Sequence, residues 1–190
     1  MNERTPISLP TNLTVERKFD YLRICRQWLS KKSIAIIIFA IGWDYFTISA
    51  LIKFSNAEPA DSGSIKIITI LTLVAVGVTY FAIATLANRT QITISRKQLI
   101  IKHSPIPWFG NKRIAANELS QLFVFERASN HNTDDQYTPP SFGLRAITKR
   151  GKNLLLLTNL DQEQALYLEQ EIEHYLAIKD KPVNRPNEVR

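Results

Sequence analysis

With one cysteine, Cys25, in 190 residues, the chain cannot form an intramolecular disulfide and suits a reducing compartment. Glycine is scarce too: the six glycines form no G-x-G spacing, which leaves no loop of the kind that cradles nucleotide phosphates. The three histidines, His103, His131 and His174, are far apart, and no Cys/His/Asp spacing makes a ligand set. His131 with Asp134 and Asp135 comes nearest to a cation site and reads more simply as a solvated loop. Cys25 has no evident base and no serine elbow is present, so no catalytic constellation is visible and neither cofactor nor metal is implied. A cleavable leader is not expected either, because the first 32 residues are mostly polar and the apolar run after them is long enough to stay in a membrane.

What the chain does have is two long apolar runs, residues 33–52 (SIAIIIFAIGWDYFTISALI) and 65–87 (IKIITILTLVAVGVTYFAIATLA). Each is about the 20 residues that a helix rising ~1.5 Å per residue needs to cross a ~30 Å hydrocarbon layer, so the pair reads as a transmembrane hairpin. The rest suffices for one small domain. Seven Lys/Arg precede residue 33, and Arg89, Arg96, Lys97 and Lys102 follow the second run. The loop between, residues 53–64, has Lys53 at its edge, Lys66 just beyond it, and Glu58 and Asp61 inside. The positive-inside bias places both termini in the cytoplasm and this loop outside. Basic flanks fit contact with anionic lipid, and the absence of a basic helix or aromatic-interleaved basic strand argues against nucleic acid.

Along the chain, residues 1–18 read as a flexible tail with Pro6 and Pro10. In residues 19–32, Tyr21, Arg23, Cys25 and Gln27 alternate with Leu22, Ile24, Arg26 and Trp28. This predicts a strand with Leu22, Ile24 and Trp28 on one face and Arg26 as the exception; a juxtamembrane amphipathic helix is the alternative. A lone strand needs a partner, which only the domain after the hairpin supplies. Beyond residue 87 strands are expected at 91–95, 98–103, 111–115, 121–127, 142–149 and 153–158, with residues 104–110 interrupting the ladder because Pro105 and Pro107 lack an N–H. Residues 128–141 read as a long polar loop. From Asp161, an N-cap with Gln164 three residues on, Ala165, Leu168, Ile172, Tyr175 and Leu176 recur at helical spacing while Glu163, Glu169, Glu171 and Glu173 lie mostly elsewhere. That helix ends near Ile178, and residues 179–190 form a loose tail with Pro182 and Pro186. The fold class expected is therefore an α+β membrane protein: a helical hairpin and a cytoplasmic domain, residues 88–178, in which strands closed by one amphipathic helix follow the order of a pleckstrin-homology-like β-barrel or roll. Other small β+α rolls satisfy the same pattern.

Three sets of residues invite a functional reading. Asp44, near the middle of the first run, costs roughly 2.5 to 3.5 kcal/mol at mid-bilayer, and Thr72, Thr79 and Tyr80 are the polar groups at matching depth in the second run. It suits an ion- or proton-handling group or a contact between protomers, against the plainer reading of a hydrogen-bonded structural residue. Trp108 and Phe109 beside Lys112 and Arg113 make an aromatic anchor flanked by cations, suited to lipid headgroups or a protein partner, unless Trp108 only fills the end of the barrel. Lys149, Arg150 and Lys152 surround Gly151 in a tight turn and form a candidate contact for anionic headgroups, against a solvated turn.

Several blocks are also specific: Asn88-Arg89-Thr90-x-Ile92, Lys102-His103-x-Pro105-Ile106-Pro107-Trp108, Gly110-Asn111-Lys112-Arg113, Gln121-Leu122-Phe123-Val124, the run from Glu163 to Glu173, and Trp43-Asp44-x-Phe46. In these the chain, over about residues 21–178, resembles a family of uncharacterised bacterial inner-membrane proteins in which a two-helix hairpin precedes a pleckstrin-homology-like domain. It departs from that pattern at Ser104, where glycine is usual, and in its long proline-containing loop. The resemblance implies an architecture and a bacterial inner membrane, or another energy-coupling membrane, rather than an activity. The expected function is a membrane-anchored binding or scaffold module with the bilayer, anionic headgroups, and a membrane protein or a second copy as partners. The alternative is a lipid- or ion-handling protein that uses Asp44.

Overall fold

The computed structural model describes residues 7–29, 31–56, 62–127, 140–178 and 188–189, and the chain divides into two compact units. The first comprises Met1–Arg26, Thr90–Lys102 and Phe109–Arg190; the second comprises Gln27–Arg89 and His103–Trp108.

The first unit is built from two sheets. Strands β1 (Leu13–Arg17), β2 (Tyr21–Gln27), β3 (Arg89–Ser95), β4 (Gln98–Ser104) and β5 (Lys112–Ala115) lie side by side in that order. A 3-10 turn, Ala116–Glu118, leads to β6 (Leu119–Arg127), β7 (Ser141–Thr148) and β8 (Asn153–Leu160), which with β9 (Glu188–Val189) form the second sheet in the order β8-β7-β6-β9. Alternation explains the first sheet: Leu22 and Ile24, Ile92 and Ile94, Leu99 and Ile101 put every second side chain inside, each contributing roughly 1.5 to 3 kcal/mol by burial. The turn from β3 to β4 is closed by Ser95, whose Oγ lies 3.1 Å from both the amide and the carbonyl of Gln98.

A barrel does not form: no strand ladder joins the two sheets among the described residues. Barrel closure needs a continuous staggered ladder, whereas the β8 edge is met by side chains. Lys112 Nζ donates to the carbonyls of Leu155 and Leu156, and the Arg26 guanidinium donates to Asn159 O. This explains Arg26 as the exception in its strand, a cation whose partner is a carbonyl of the other sheet. Capping an edge with cations also discourages pairing with another chain.

Two expectations for the termini need correcting. Residues 1–18 are not wholly a tail, because Leu13–Arg17 pairs antiparallel with β2, buries Leu13 and joins Arg17 to Glu171 at 2.7 Å. With only Leu13 and Val15 as apolar markers, this strand is too short for periodicity to reveal. Likewise residues 179–190 are not all loose: Val189 and Glu188 pair with Val124 and Phe125, which fills the free edge of β6. Pro182 and Pro186, Glu58 and Asp61 of the connection between the apolar runs, and His131, Asp134 and Asp135 of the expected long loop lie outside the described residues.

Helix α3 (Gln162–Leu176) closes the unit with Ala165, Leu168 and Ile172 inside. Gln164 Oε1 accepts from Asp161 N at 3.5 Å at its start, and Ala177 ends it in the left-handed region at φ 51°. Contrary to the expectation that its glutamates face away, Glu169 and Glu173 are buried, and Glu173 Oε1 accepts from the Leu122 amide at 3.3 Å. A carboxylate four residues along the same face can enter the core when a backbone donor meets it there.

The second unit is the helical hairpin α1 (Lys31–Ser55) and α2 (Ser62–Ala87), both long and apolar enough to cross a membrane. At about 1.5 Å per residue each exceeds the ~30 Å layer. Both run past the expected limits of 33–52 and 65–87, and the intervening loop is correspondingly shorter. Small residues face inward (Ala40 and Thr47; Ala75, Ala82, Ala84 and Thr85), while Ile38, Phe39, Ile41, Phe46, Ile67, Leu73 and Val76 face out. Large-out, small-in is the reverse of a soluble helix pair and matches packing in lipid.

Candidate functional site

Within the hairpin, Asp44 has a partner. Thr79 Oγ1 on α2 donates to Asp44 Oδ2 at 2.7 Å and lies 2.9 Å from the Ala75 carbonyl one turn back. A serine or threonine hydroxyl on a helix ordinarily bonds its own backbone, and here the same group also reaches the facing helix. Asp44 thus ties the two helices together near their middle, and among the described residues no group of three or more His, Cys, Asp or Glu gathers around it or anywhere else.

The more elaborate constellation stands where α1 begins and α2 ends. Asn88, the residue after α2, is 3% exposed. Its N–H donates to Ala84 O at 2.9 Å, completing the last helical turn, and its carbonyl accepts from the Trp28 amide at 3.3 Å. The side chain faces the segment after β4: Nδ2 donates to Ile106 O at 3.1 Å, and Oδ1 accepts from Ile106 N at 2.8 Å. Tyr80 extends the same attachment two turns back along α2, donating its hydroxyl proton to Pro107 O at 2.5 Å. The prolines that break the β ladder therefore release a segment whose polar backbone groups are taken up by Asn88 and by Tyr80 of α2.

Aromatic rings complete the arrangement. Trp108 stacks on Tyr80 with centroids 6.1 Å apart and planes 11° apart, meets Phe81 at 5.7 Å and meets Trp28 edge-on at 5.4 Å. Trp28 in turn meets His103 at 5.4 Å. Such offset and edge contacts each add roughly 0.5 to 1.5 kcal/mol to the area buried. The sequence singles out Trp108 but not its ring neighbours Trp28, Tyr80 and Phe81, nor Asn88, which bonds Ile106, nor His103, which meets Trp28. Alternation places Trp28 on a strand face, whereas the strand ends at Gln27 and Trp28 meets Trp108 and His103.

The three residues grouped with Trp108 by sequence have different surroundings. Lys112 is engaged with the Leu155 and Leu156 carbonyls, and burial pushes its ammonium below the ordinary lysine range. Phe109 is 88% exposed, and Arg113 is exposed on β5. Lys149, Arg150 and Lys152 are brought together on the exposed turn from β7 to β8. Thr148 holds that turn: its carbonyl accepts from Gly151 N at 2.8 Å and its Oγ1 from Lys152 N at 3.0 Å, with Gly151 at φ 77°. A positive φ favours glycine there, and the turn presents its three cations to solvent.

No protein-family model matches the chain, and no curated protein matches it.

Proposed function

We propose that the protein is a membrane-anchored binding module of a bacterial inner membrane, with both termini cytoplasmic and a pleckstrin-homology-like domain that recruits a protein partner at the membrane surface. The observation that carries this reading is the chain path: β2 and β3 are neighbours in one sheet, although the two apolar helices lie between them in sequence. A domain interrupted in this way is connected to the helices by two chain crossings. The seven strands β2 to β8 followed by α3 support the pleckstrin-homology-like assignment. Phe109, on the connection into β5, and Arg113, on β5 itself, are both exposed and supply an aromatic anchor and a cation for the partner. Lys149, Arg150 and Lys152 supply a contact for anionic headgroups.

The test is purification of the full chain from its native membrane in mild detergent. A stoichiometric protein that is lost on Phe109→Ser or Arg113→Ala and retained on Asp44→Asn supports the reading. A chain that purifies alone and whose liposome ion flux falls on Asp44→Asn replaces it with the ion-handling alternative. Orientation is tested by Glu58→Cys in a Cys25→Ser protein: labelling from the cytoplasmic side alone would overturn the proposed topology.

A further inference from the structure

The segment from Pro105 to Trp108 is built differently from an ordinary connection between strands. Between the nitrogen of Pro105 and the carbonyl of Pro107 it possesses one amide proton, that of Ile106, since the two prolines have none. That proton is accepted by Asn88 Oδ1, the Ile106 carbonyl accepts from Asn88 Nδ2, and the Pro107 carbonyl accepts from the Tyr80 hydroxyl. Ordinary surface loops leave such groups to water. Here Tyr80 of α2 and Asn88, the residue after that helix, satisfy them, which is the condition for irregular backbone to leave water.

Position and composition agree. Tyr80 precedes the last residue of α2, Ala87, by seven positions, which is about 10 Å along the helix axis at ~1.5 Å per residue. A segment that bonds Tyr80 and stacks Trp108 on Tyr80 and Phe81 therefore runs beside the membrane helix, level with residues well inside it. Its accessible surface is apolar: Pro105 and Pro107 are exposed, as are Tyr80 and Phe81 on the helix beside it. The stretch 103–111 is without Asp, Glu, Lys or Arg, whereas Lys102 and Lys112 stand at its two sides. Trp and Tyr with a flanking cation are the composition of the headgroup boundary.

From this the geometry points to Pro105–Ile106–Pro107–Trp108 being a membrane wedge: it occupies the boundary between headgroups and acyl chains of the leaflet at the α2 C-terminal end, and its partner is phospholipid. The inference rests on the reading of α1 and α2 as membrane-spanning. It adds to the two helices a membrane contact made by irregular backbone, where the sequence marks Trp108 only as an aromatic beside cations.

The experiment uses the full chain in phosphatidylcholine vesicles and reads tryptophan emission. The Trp28→Phe, Trp43→Phe protein retains Trp108 as its one tryptophan. Its emission should be quenched several-fold more by lipid brominated high on the acyl chain than by lipid brominated near the chain end, and weakly by aqueous iodide. Strong iodide quenching without bromine quenching would overturn the wedge. The Trp28→Phe, Trp108→Phe protein, with Trp43 alone, separates the two readings: deep bromine quenching of Trp43 with none of Trp108 rejects the wedge and keeps the spanning helices, whereas no bromine quenching of either rejects both. Because removing Trp28 disturbs the ring cluster, Ile106→Cys in a Cys25→Ser protein, labelled with an environment-sensitive fluorophore, repeats the measurement with all tryptophans in place. Blue-shifted emission that lipid bromines quench is expected. Self-quenching that grows with the protein-to-lipid ratio, without bromine quenching, would overturn the wedge in favour of contact with a second copy.

Discussion

Asn88 and Ile106 form a reciprocal pair: the Asn88 amide donates to the Ile106 carbonyl at 3.1 Å while its own oxygen accepts from the Ile106 amide at 2.8 Å. A side-chain amide in this role imitates a neighbouring strand. It supplies a donor and an acceptor at the spacing a backbone needs, where prolines on both sides prevent a ladder.

Replacing it should be costly. Asn88→Leu leaves both Ile106 groups without their partner, at roughly 1 to 3 kcal/mol for each. Asn88→Asp retains the acceptor and loses the donor, so it should fall between Leu and wild type. Thermal unfolding in detergent gives the order, and Trp108 emission should shift to the red in the same sequence of variants.

Asp44 separates two energies that are easily confused. Pairing with Thr79 is worth about 0.6 kcal/mol, by analogy with interhelical hydrogen bonds measured in membranes, whereas insertion of a central carboxyl costs roughly 2.5 to 3.5 kcal/mol. Asp44→Leu should therefore insert more efficiently yet show weaker helix pairing, and Asp44→Asn, which keeps a group for the Thr79 hydroxyl, should pair nearly as wild type. An insertion assay and a detergent-unfolding titration measure the two effects independently.

Gly143 lies opposite Phe125 in the pairing of β6 with β7, and a Cβ there would stand 2.5 Å from two carbons of the Phe125 ring and 3.0 Å from the Leu157 carbonyl. The Arg145 guanidinium lies over the same ring, 4.3 Å from its centroid. Gly143→Ala should destabilise by about 1 to 3 kcal/mol through this overlap. Adding Phe125→Ala removes the obstruction, so the double variant should be less destabilised than the two single losses added together.

Lys112 predicts a pH dependence. Burial holds its ammonium below the ordinary 10.5, so in the interval just under that value the unfolded chain binds more protons than the folded one. Stability from this group accordingly rises as pH is raised toward 10.5. Against Lys112→Met, which also loses the bonds to the Leu155 and Leu156 carbonyls, wild type should be the more stable at neutral pH, and its advantage should grow on alkalinisation. Paired melts across that range measure the slope.

Much of the architecture was legible from pattern alone. The apolar runs extend long enough for helices, alternation in residues 91–95 and 98–103 marks β3 and β4, and Asp161 with Gln164 marks the start of α3. These signals are local, because burial on one face repeats every two residues in a strand and every three or four in a helix. Strands β1 and β9 escaped because five and two residues carry too few repeats, and their existence depends on β2 and β6 offering an edge. The candidate site was legible only as a list. Adjacency groups Trp108 with Phe109, Lys112 and Arg113, whereas the fold ties Trp108 to the Trp28 ring, 80 residues away in sequence, and Lys112 to the edge of another sheet.

The reciprocal bond between Asn88 and Ile106 marks the division. Composition and periodicity by themselves determined that the chain has two helices fit for a membrane and an α+β remainder, because hydrophobic length and alternation need no knowledge of what is adjacent in space. Only the tertiary structure decided that the strands make two sheets rather than a barrel, that Asp44 meets Thr79, and that the Pro105 segment lies along α2. Each depends on hydrogen-bonding groups far apart in sequence being satisfied by one another, and that pairing is a property of the folded chain alone.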